Sequence, residues 1–295
     1  MDMDRREFMW TAALGAGVQL VAGAAGATPA AETVTAAAKG SVLFSFCVVA
    51  DPHCAEKPKE GIDQYGGGVD KLLRCVEAMD GMAGIDRPDF VLLAGDIHPW
   101  ALGEGQLDGV PFTLYATPGN HESSRERRDA LRPVFPDSFH LGGQAADYYS
   151  VVHRGVRVIS LCDAGGGGDH VGHLCSESIA PAGQCEWLER ELGAPERRKI
   201  LFAHIPPEPQ GQDRNMYMSR NDSRWFCDLL RDRGPEAAFF GHLHQATLEY
   251  DLGGTRCFNV RSCCWNFGKA PLGFLHVRVH EIGLAVREIE TGRYS

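Results

Sequence analysis

The sequence predicts an α/β fold with two β-sheets, and three observations lead to this expectation. Near the start, apolar strand-like runs alternate with a segment of helical periodicity, which favours parallel strands joined by helices. Towards the C-terminus, strand-like segments follow one another with glycines between them, which suggests a second, more antiparallel sheet packed on the first. The 295 residues are 44% hydrophobic and 23% charged, a composition that supports one large packed domain.

The first elements set this pattern. Val42–Ala50 is apolar on both faces, as a buried strand should be. Gly68–Met79 repeats its apolar residues at helical spacing and predicts a helix. Phe90–Ala94 and Val110–Ala116 are the next two predicted strands.

The remaining elements follow from the same two periodicities. Strands are predicted at Tyr148–His153, Val156–Leu161, Ile200–Ala203 and Ala237–Phe240. Helices are predicted at Gln184–Leu192 and Ser223–Arg233. The predicted strands of the C-terminal segment are Thr247–Tyr250, Cys257–Val260, Phe274–Val279 and Leu284–Ile289.

Side chains that can bind metal follow five of these strands, within a few residues of each strand's end. They are Asp51, His53, Asp96, Asn120, His204, His242 and His244. Ligands in open α/β sheets bind outside the carboxyl ends of the strands, so we expect these residues to converge. Carboxylate, imidazole and amide donors together suit Zn, Fe or Mn better than Ca or Mg. Asp96, which follows a buried strand and a glycine, is the candidate carboxylate to bridge two metal ions.

These residues belong to short motifs that recur in a known order. The motifs are Asp51-x-His53, Gly95-Asp96, Gly119-Asn120-His121-Glu122, His204-x-Pro206-Pro207 and Gly241-His242-x-His244. The ordered set resembles the calcineurin-like metallophosphoesterases, in particular their phosphodiesterase-like branch. The resemblance implies a four-layer α/β/β/α sandwich of two mixed β-sheets and a centre with two transition-metal ions, Mn, Fe or Zn.

The resemblance also implies a role for each residue. One ion would be held by Asp51, His53, Asp96 and His244, and the other by Asp96, Asn120, His204 and His242. A hydroxide bridging the ions would attack phosphorus. His121 would act on the leaving group, and Glu122 would orient His121.

The implied activity is phosphoric ester hydrolysis, with a phosphodiester as the first choice of substrate. The alternatives are a phosphomonoesterase acting on a small ester or nucleotide and, from another class, a non-catalytic metal-dependent binding protein. Pro99 stands where many members of the family carry aspartate or tyrosine, which argues against purple acid phosphatases. The absence of an Asp-Arg-Gly sequence argues against protein serine/threonine phosphatases. His98 and Trp100 are expected to shape the pocket.

Several residues near these motifs leave two interpretations open. His170 and His173 are either ligands of a further metal or substrate, or solvated residues of a glycine-rich loop. Arg125 and Arg128 either clamp a phosphate or belong to a charged helix surface. Cys54 is next to His53 and could approach a metal, but neighbouring side chains of an extended segment point in opposite directions, which favours a structural role for Cys54. No pairing among the ten cysteines follows from their spacing.

The N-terminus resembles a twin-arginine (Tat) export signal. Arg5 and Arg6 precede Phe8 and a mildly apolar, Ala/Gly-rich stretch. We expect a signal over residues 1–27, a flexible lead over 28–40 and the domain over 41–295. The Tat translocase would then be a partner, and the location periplasmic or extracellular. The alternative is an uncleaved N-terminal membrane anchor.

The charge of the chain limits its partners. The formal net charge of -10 disfavours sequence-independent binding to DNA or RNA, because an acidic surface repels a polyanion. A small phosphate ester remains compatible with this charge, since bound cations make the site locally positive.

Overall fold

The computed structural model describes residues 38–59, 65–103, 105–166 and 169–292, which lie within the compact unit Glu32–Ser295. The predicted signal over residues 1–27 and most of the predicted lead lie outside the described residues. Strand β1 begins at Lys39, so the last two residues of that lead are strand rather than flexible. No helix in the described part of the chain has the length and hydropathy needed to cross a membrane.

Thirteen strands are found in the described residues. They are β1 Lys39–Ala50, β2 Phe90–Ala94, β3 Thr113–Thr117, β4 His140–Leu141, β5 Gln144–Ala145, β6 Tyr149–His153, β7 Val156–Ser160, β8 Arg198–Phe202, β9 Ala237–Phe240, β10 Leu248–Leu252, β11 Thr255–Asn259, β12 Leu272–Ile282 and β13 Leu284–Gly292. The α-helices are α1 Gly68–Asp80, α2 Arg125–Asp129, α3 Gln184–Leu192 and α4 Arg220–Arg233.

Two large mixed sheets form the centre of the fold. The first has the order β13-β12-β1-β2-β3, and the second has the order β10-β11-β9-β8-β7-β6. Strands β1, β2 and β3 run parallel, as do β7, β8, β9 and β11. The antiparallel pairs are β1 with β12, β12 with β13, β10 with β11 and β6 with β7. Parallel strands at the centre of each sheet confirm the predicted α/β class.

The C-terminal strands do not form a sheet of their own, so that prediction was wrong. β12 pairs with β1 and carries β13 into the first sheet, whereas β11 pairs with β9 and carries β10 into the second. The hydrophobic pattern identified all four strands but not their partners. Pairing between distant segments depends on which buried faces meet, and local periodicity does not record this.

The two sheets pack face to face through aromatic side chains. Phe46 of β1 stacks on Phe90 and meets Phe239 of β9 edge to face, with ring centroids 5.1 Å and 5.9 Å away. Both sheets contribute to this one core, and α1 adds buried Leu72 and Met79 to it.

Helices α3 and α4 cover the outer side of the second sheet. Their buried residues, such as Trp187 and Phe226, belong to a second cluster with Leu201 and Phe240. The layers are therefore helix, sheet, sheet, helix, as the family resemblance implied. A disulfide between Cys175 and Cys185 fixes the segment before α3.

Candidate metal centre

The predicted ligands converge at one edge of the paired sheets. Each follows the carboxyl end of a parallel strand, and the strands come from both sheets. Asp51 follows β1, Asp96 follows β2, Asn120 follows β3, His204 follows β8, and His242 with His244 follow β9. Because the two sheets face each other, their strand ends deliver side chains to a shared space between them.

One group of donors surrounds Asp96. The Oδ2 atom of Asp96 lies 3.2 Å from Nε2 of His204. That His204 nitrogen is 3.2 Å from Oδ1 of Asn120 and 3.2 Å from Nδ1 of His242. Asp96, His204 and His242 are all buried. Two nitrogens, a carboxylate and an amide oxygen form a donor set suited to Zn, Fe or Mn.

A second group lies beside the first and shares Asp96. Nε2 of His53 lies 3.0 Å from Nε2 of His244, and the latter lies 3.4 Å from Oδ1 of Asp51. Nε2 of His53 is also 3.6 Å from Oδ2 of Asp96, the same oxygen that faces His204. A single carboxylate oxygen thus stands between the two groups, which is the arrangement that a bridging ligand requires.

Backbone carbonyls fix the rings of two histidines. Nδ1 of His204 donates to the carbonyl of Ala94 (2.8 Å), and Nδ1 of His244 donates to the carbonyl of Trp265 (2.7 Å). Each bond places a proton on Nδ1 and leaves Nε2 facing the centre. Such contacts to the far ring nitrogen are typical of metal-binding histidines.

The other two histidines are held in a similar way. Nδ1 of His53 lies 3.0 Å from Oε1 of Glu56, and Nε2 of His242 lies 3.2 Å from the carbonyl of His170. His242 therefore presents Nδ1 to the centre, whereas His53 presents Nε2. Glu56 was not among the predicted site residues, because a lysine-rich surface segment follows it and gives no sign of its contact.

The backbone at the centre is strained. Ten non-glycine residues in the described part of the chain have positive φ, and six of them lie here: Asp51, His53, Asp96, His98, His242 and His244. This conformation costs on the order of 1–3 kcal/mol per residue and persists only where the surroundings impose it. It lets the chain turn sharply at a strand end, so that both residues of the Asp51-x-His53 and His242-x-His244 pairs enter the same space.

The charges of the centre favour a bound cation. Burial alone would raise the pKa of Asp96, but the neighbouring imidazoles of His204, His121 and His53 hold it well below its usual value. Burial would lower the pKa of His204, yet Asp96 and Asp51 outweigh it and raise that pKa to about 10. The negative field that retains a proton on His204 would equally retain a metal ion. For His242, burial and the charge of His204 lower the pKa to about 3, which leaves its lone pair free for a ligand bond.

His121 lies at the open side of this centre. Its side chain is 34% exposed, and its Nε2 is 3.8 Å from Oδ2 of Asp96. Its backbone N–H donates to Oδ1 of Asp96, 3.0 Å away, which ties the residue to the proposed bridging carboxylate. Burial, only partly opposed by Asp96, lowers the pKa of its ring.

Glu122 does something different from the role that the resemblance implied. Its two carboxylate oxygens accept from the backbone N–H groups of His98 (2.8 Å) and Gly119 (2.9 Å) rather than from the ring of His121. It therefore holds together the two loops that carry Asp96 and Asn120. Burial and the charge of Asp96 raise the pKa of Glu122 to about 7.

The structure decides between the remaining alternatives for the arginines. Arg128 is buried, and its Nε donates to Oδ2 of Asp147 at 2.9 Å. It is neither a phosphate clamp nor part of a charged surface, because the helix turns this side chain inwards. Arg125 is exposed and lies 3.8 Å from Asp129 in the same helix.

The other open residues are also placed. His170 approaches the centre through its carbonyl, and the ring of His173 lies 3.7 Å from Asp169 on a partly exposed loop. Cys54 is buried, as its predicted structural role requires.

Asp163 is a second residue that sequence patterns did not single out. It is fully buried, and its Oδ2 accepts from the backbone N–H groups of His204 (3.1 Å) and Ile205 (2.6 Å). It thereby positions the turn that carries His204. Burial raises the pKa of Asp163 to about 7. Its only sequence signal is a lone acid after an apolar strand, which many surface turns share.

Comparison with known proteins agrees with this geometry. A family model described as calcineurin-like phosphoesterase matches residues 44–246, a range that contains every predicted ligand. A protein of Rhodococcus erythropolis described as a probable cyclic nucleotide phosphodiesterase is 30% identical over 197 residues. That alignment covers 61% of this chain and 59% of the relative, so the chain spans less than two thirds of the relative's length.

Solved structures show the same fold at low sequence identity. A dimetal phosphatase from Danio rerio superposes with a TM-score of 0.57 at 15% identity, covering 86% of this chain and 100% of that one. A 5'-nucleotidase from Candida albicans gives a TM-score of 0.51 at 15% identity, covering 86% of this chain and 53% of that one. The architecture is therefore shared well beyond recognisable sequence similarity.

Proposed function

The chain belongs to the calcineurin-like phosphoesterase family, and from that premise we propose that it hydrolyses phosphodiesters at a centre that holds two transition-metal ions. The observation that carries the proposal is the position of Asp96. One of its carboxylate oxygens lies 3.6 Å from His53 and 3.2 Å from His204, between two groups of nitrogen and oxygen donors. The donors favour Mn, Fe or Zn.

We assign one ion to each group, with Asp96 common to both. The first group is Asp51, His53, Asp96 and His244, and the second is Asp96, Asn120, His204 and His242. When bound, the ions would supply positive charge for the phosphoryl oxygens and lower the pKa of the attacking water. The protein's own part is to orient these ligands through the carbonyls and carboxylates that hold their far ring nitrogens.

His121 is our candidate for the group that acts on the leaving oxygen. It lies at the open side of the centre, and its backbone is tied to Asp96, so a substrate bound near Asp96 would meet its ring. A neutral imidazole at this place can donate a hydrogen bond to the leaving oxygen as the ester bond breaks, whereas its protonated form can donate a proton. Glu122 supports this residue indirectly, by fixing the loop at Gly119.

Two considerations favour a diester as the substrate. The relative from Rhodococcus erythropolis is described as a probable cyclic nucleotide phosphodiesterase, and the motif series of this chain resembles that of the phosphodiesterase-like branch. A nucleotide diester is accordingly our first substrate class.

The test is an assay of matched esters on metal-loaded protein. Wild type should hydrolyse bis(p-nitrophenyl) phosphate faster than p-nitrophenyl phosphate in the presence of Mn, Fe or Zn. Faster turnover of the monoester would favour the phosphomonoesterase instead. Metal-loaded protein that hydrolyses neither ester would favour the non-catalytic binding protein.

The role of Asp96 is tested with a single substitution. Asp96→Asn should lose metal stoichiometry and turnover together, because an amide is a poor bridge between cations. Asp228→Asn, at a carboxylate that is 77% exposed on α4, is the matched control and should retain both. Full metal content with undiminished turnover in Asp96→Asn would contradict the bridging role.

We also propose export through the Tat translocase, on the strength of the twin arginine and the Ala/Gly-rich stretch of residues 1–27. Replacing Arg5 and Arg6 together with lysine should leave the protein in the cytoplasm of its host. Export is measured by cell fractionation, and unchanged export of the double variant would exclude this route.

A further inference from the structure

We propose that Trp100 and Arg127 form a subsite that binds a planar aromatic or heterocyclic group of the substrate on the leaving-group side of the centre. This inference deepens the proposed function and rests on it, since the leaving-group side is defined by the role of His121. It assigns a purpose to the His98-Pro99-Trp100 sequence, which departs from the family pattern.

Trp100 is a large apolar side chain exposed beside a polar centre. It follows Asp96 by four residues, in the short 3-10 helix Pro99–Ala101, and 47% of its surface is exposed. A single exposed apolar residue needs no explanation by itself. Trp100 differs because two contacts, with His98 and with Arg127, hold it beside the candidate centre.

The first contact is with His98. The imidazole of His98 stacks on the indole of Trp100, with centroids 5.2 Å apart and planes 19° apart. His98 is in turn fixed, because its N–H donates to Glu122 (2.8 Å) and its Nδ1 accepts from the N–H of Ala55 (3.2 Å). The ring of His98 also lies 4.7 Å from that of His121. Trp100 therefore packs on a histidine whose position is fixed by hydrogen bonds and whose ring lies next to that of His121.

The second contact is with Arg127. Its guanidinium carbon lies 5.1 Å from the centroid of the Trp100 ring, a cation–π distance. Its Nη1 donates to the carbonyl of His121 at 2.9 Å. The same arginine thus joins Trp100 to the backbone of His121. The exposed indole and the exposed guanidinium together form one surface at the open side of the centre.

This surface selects for planarity. His98 and Arg127 both lie against the indole, so a ligand meets the exposed guanidinium and the exposed part of the indole, two flat groups against which an aromatic ring or a nucleobase can pack. Stacking on an aromatic side chain tolerates differences in the base, because every base has a π-face. An alkyl group gains little from such a face. The structure therefore predicts a preference for aryl or nucleoside esters over alkyl esters.

The experiment compares two phosphonates that differ only in the group attached to phosphorus. Phenylphosphonate and methylphosphonate are titrated calorimetrically into metal-loaded protein, and the ratio of their dissociation constants is measured. Wild type should bind the phenyl compound roughly tenfold more tightly, the scale expected for one stacked ring. Trp100→Ala should lose most of this ratio, and Trp100→Phe should keep most of it.

Phe267→Ala is the matched control. Phe267 is 43% exposed and packs on Trp265 on the His244 side of the centre, so removing it should leave the ratio unchanged. An unchanged ratio in Trp100→Ala, or an equal loss in Phe267→Ala, would overturn the subsite. Metal content of each variant confirms that the centre has formed.

The two proposals fail separately. If no phosphate ester is hydrolysed but the ratio depends on Trp100, the aromatic subsite stands and the hydrolase proposal falls. If diesters are hydrolysed but the ratio does not depend on Trp100, the subsite alone is rejected.

Discussion

Gly119 lies so close to Asp96 that no side chain fits between them. A Cβ atom at Gly119 would overlap with both Oδ1 and the backbone nitrogen of Asp96. A similar relationship holds at Gly241, where a Cβ would lie 2.6 Å from Oδ2 of Asp51. At these two motif glycines, the missing side chain therefore leaves room for a candidate metal ligand from another motif.

Gly119→Ala should disable the centre without unfolding the protein. The added methyl group must displace Asp96, and a shift of about 1 Å at a catalytic group costs on the order of 100-fold in rate. We expect bound metal and diester turnover to fall together while the circular dichroism spectrum is preserved. Gly109→Ala is the control, since a Cβ there meets no atom within 4 Å. Wild-type turnover in Gly119→Ala would show that Asp96 has room to adjust.

Glu56→Gln should weaken metal binding. Burial alone would raise the pKa of Glu56, but the close contact with His53 and the charge of that ring lower it to about 2, so an ionised carboxylate faces His53. Removing a carboxylate that supports a ligand histidine typically costs 10–100-fold in metal affinity, and we expect roughly that loss. The measurement is a competition titration with a chelator. Glu77→Gln, on the exposed side of α1, should bind metal as wild type does; equal affinities in both variants would reject the role.

Arg128→Met should destabilise the fold, whereas Arg125→Met should not. Arg128 is buried, pairs with Asp147 and donates to the carbonyl of Ser178, so its loss leaves Asp147 with Arg132 as its one remaining cation and leaves that carbonyl without this donor. Breaking such a pair costs about 3–5 kcal/mol, compared with less than about 0.5 kcal/mol for an exposed substitution. Urea unfolding of the two variants measures the difference. A rise in KM at unchanged stability of Arg128→Met would revive the phosphate clamp.

His276 should make the protein less stable as the pH falls. Its Nε2 donates to the carbonyl of Asp86 (2.8 Å), and its Nδ1 accepts from Arg287 (3.2 Å), so the buried ring is satisfied only when neutral. Burial and the charges of Arg287 and Arg278 lower its pKa below the ordinary 6.5, and they outweigh the carbonyl and the carboxylate of Asp86, which raise it. Below about pH 6.5 the unfolded chain therefore binds a proton that the folded chain does not, which favours unfolding.

Replacing this histidine removes that linkage. His276→Gln should lose less stability than wild type between about pH 7.5 and about pH 5.5, measured from urea midpoints. His140→Gln, at an exposed histidine, should follow the wild-type curve. Parallel curves for His276→Gln and wild type would assign the acid sensitivity to other groups.

The tertiary structure also revealed residues that no local pattern predicts. Asp163 and Glu56 are ordinary acids in the sequence, and only their neighbours make them supports for His204 and His53. Their role depends on which backbone groups and rings come to lie beside them after folding. The inward turn of Arg128 has the same origin, because its partner Asp147 is 19 residues away.

The sequence alone was enough to predict which side chains meet at the candidate centre, and the physical reason is the position of the strand ends. Each predicted ligand follows an apolar run that becomes a parallel strand, and the carboxyl ends of parallel strands share one edge, so types and positions of the donors could be read directly from the chain. The folded molecule alone decided that β12 and β13 extend the first sheet while β10 and β11 extend the second. It also fixed the left-handed backbone at Asp51, Asp96 and His242. Both features arise from contacts between segments far apart in the chain, whose energies have no counterpart in local hydrophobic periodicity.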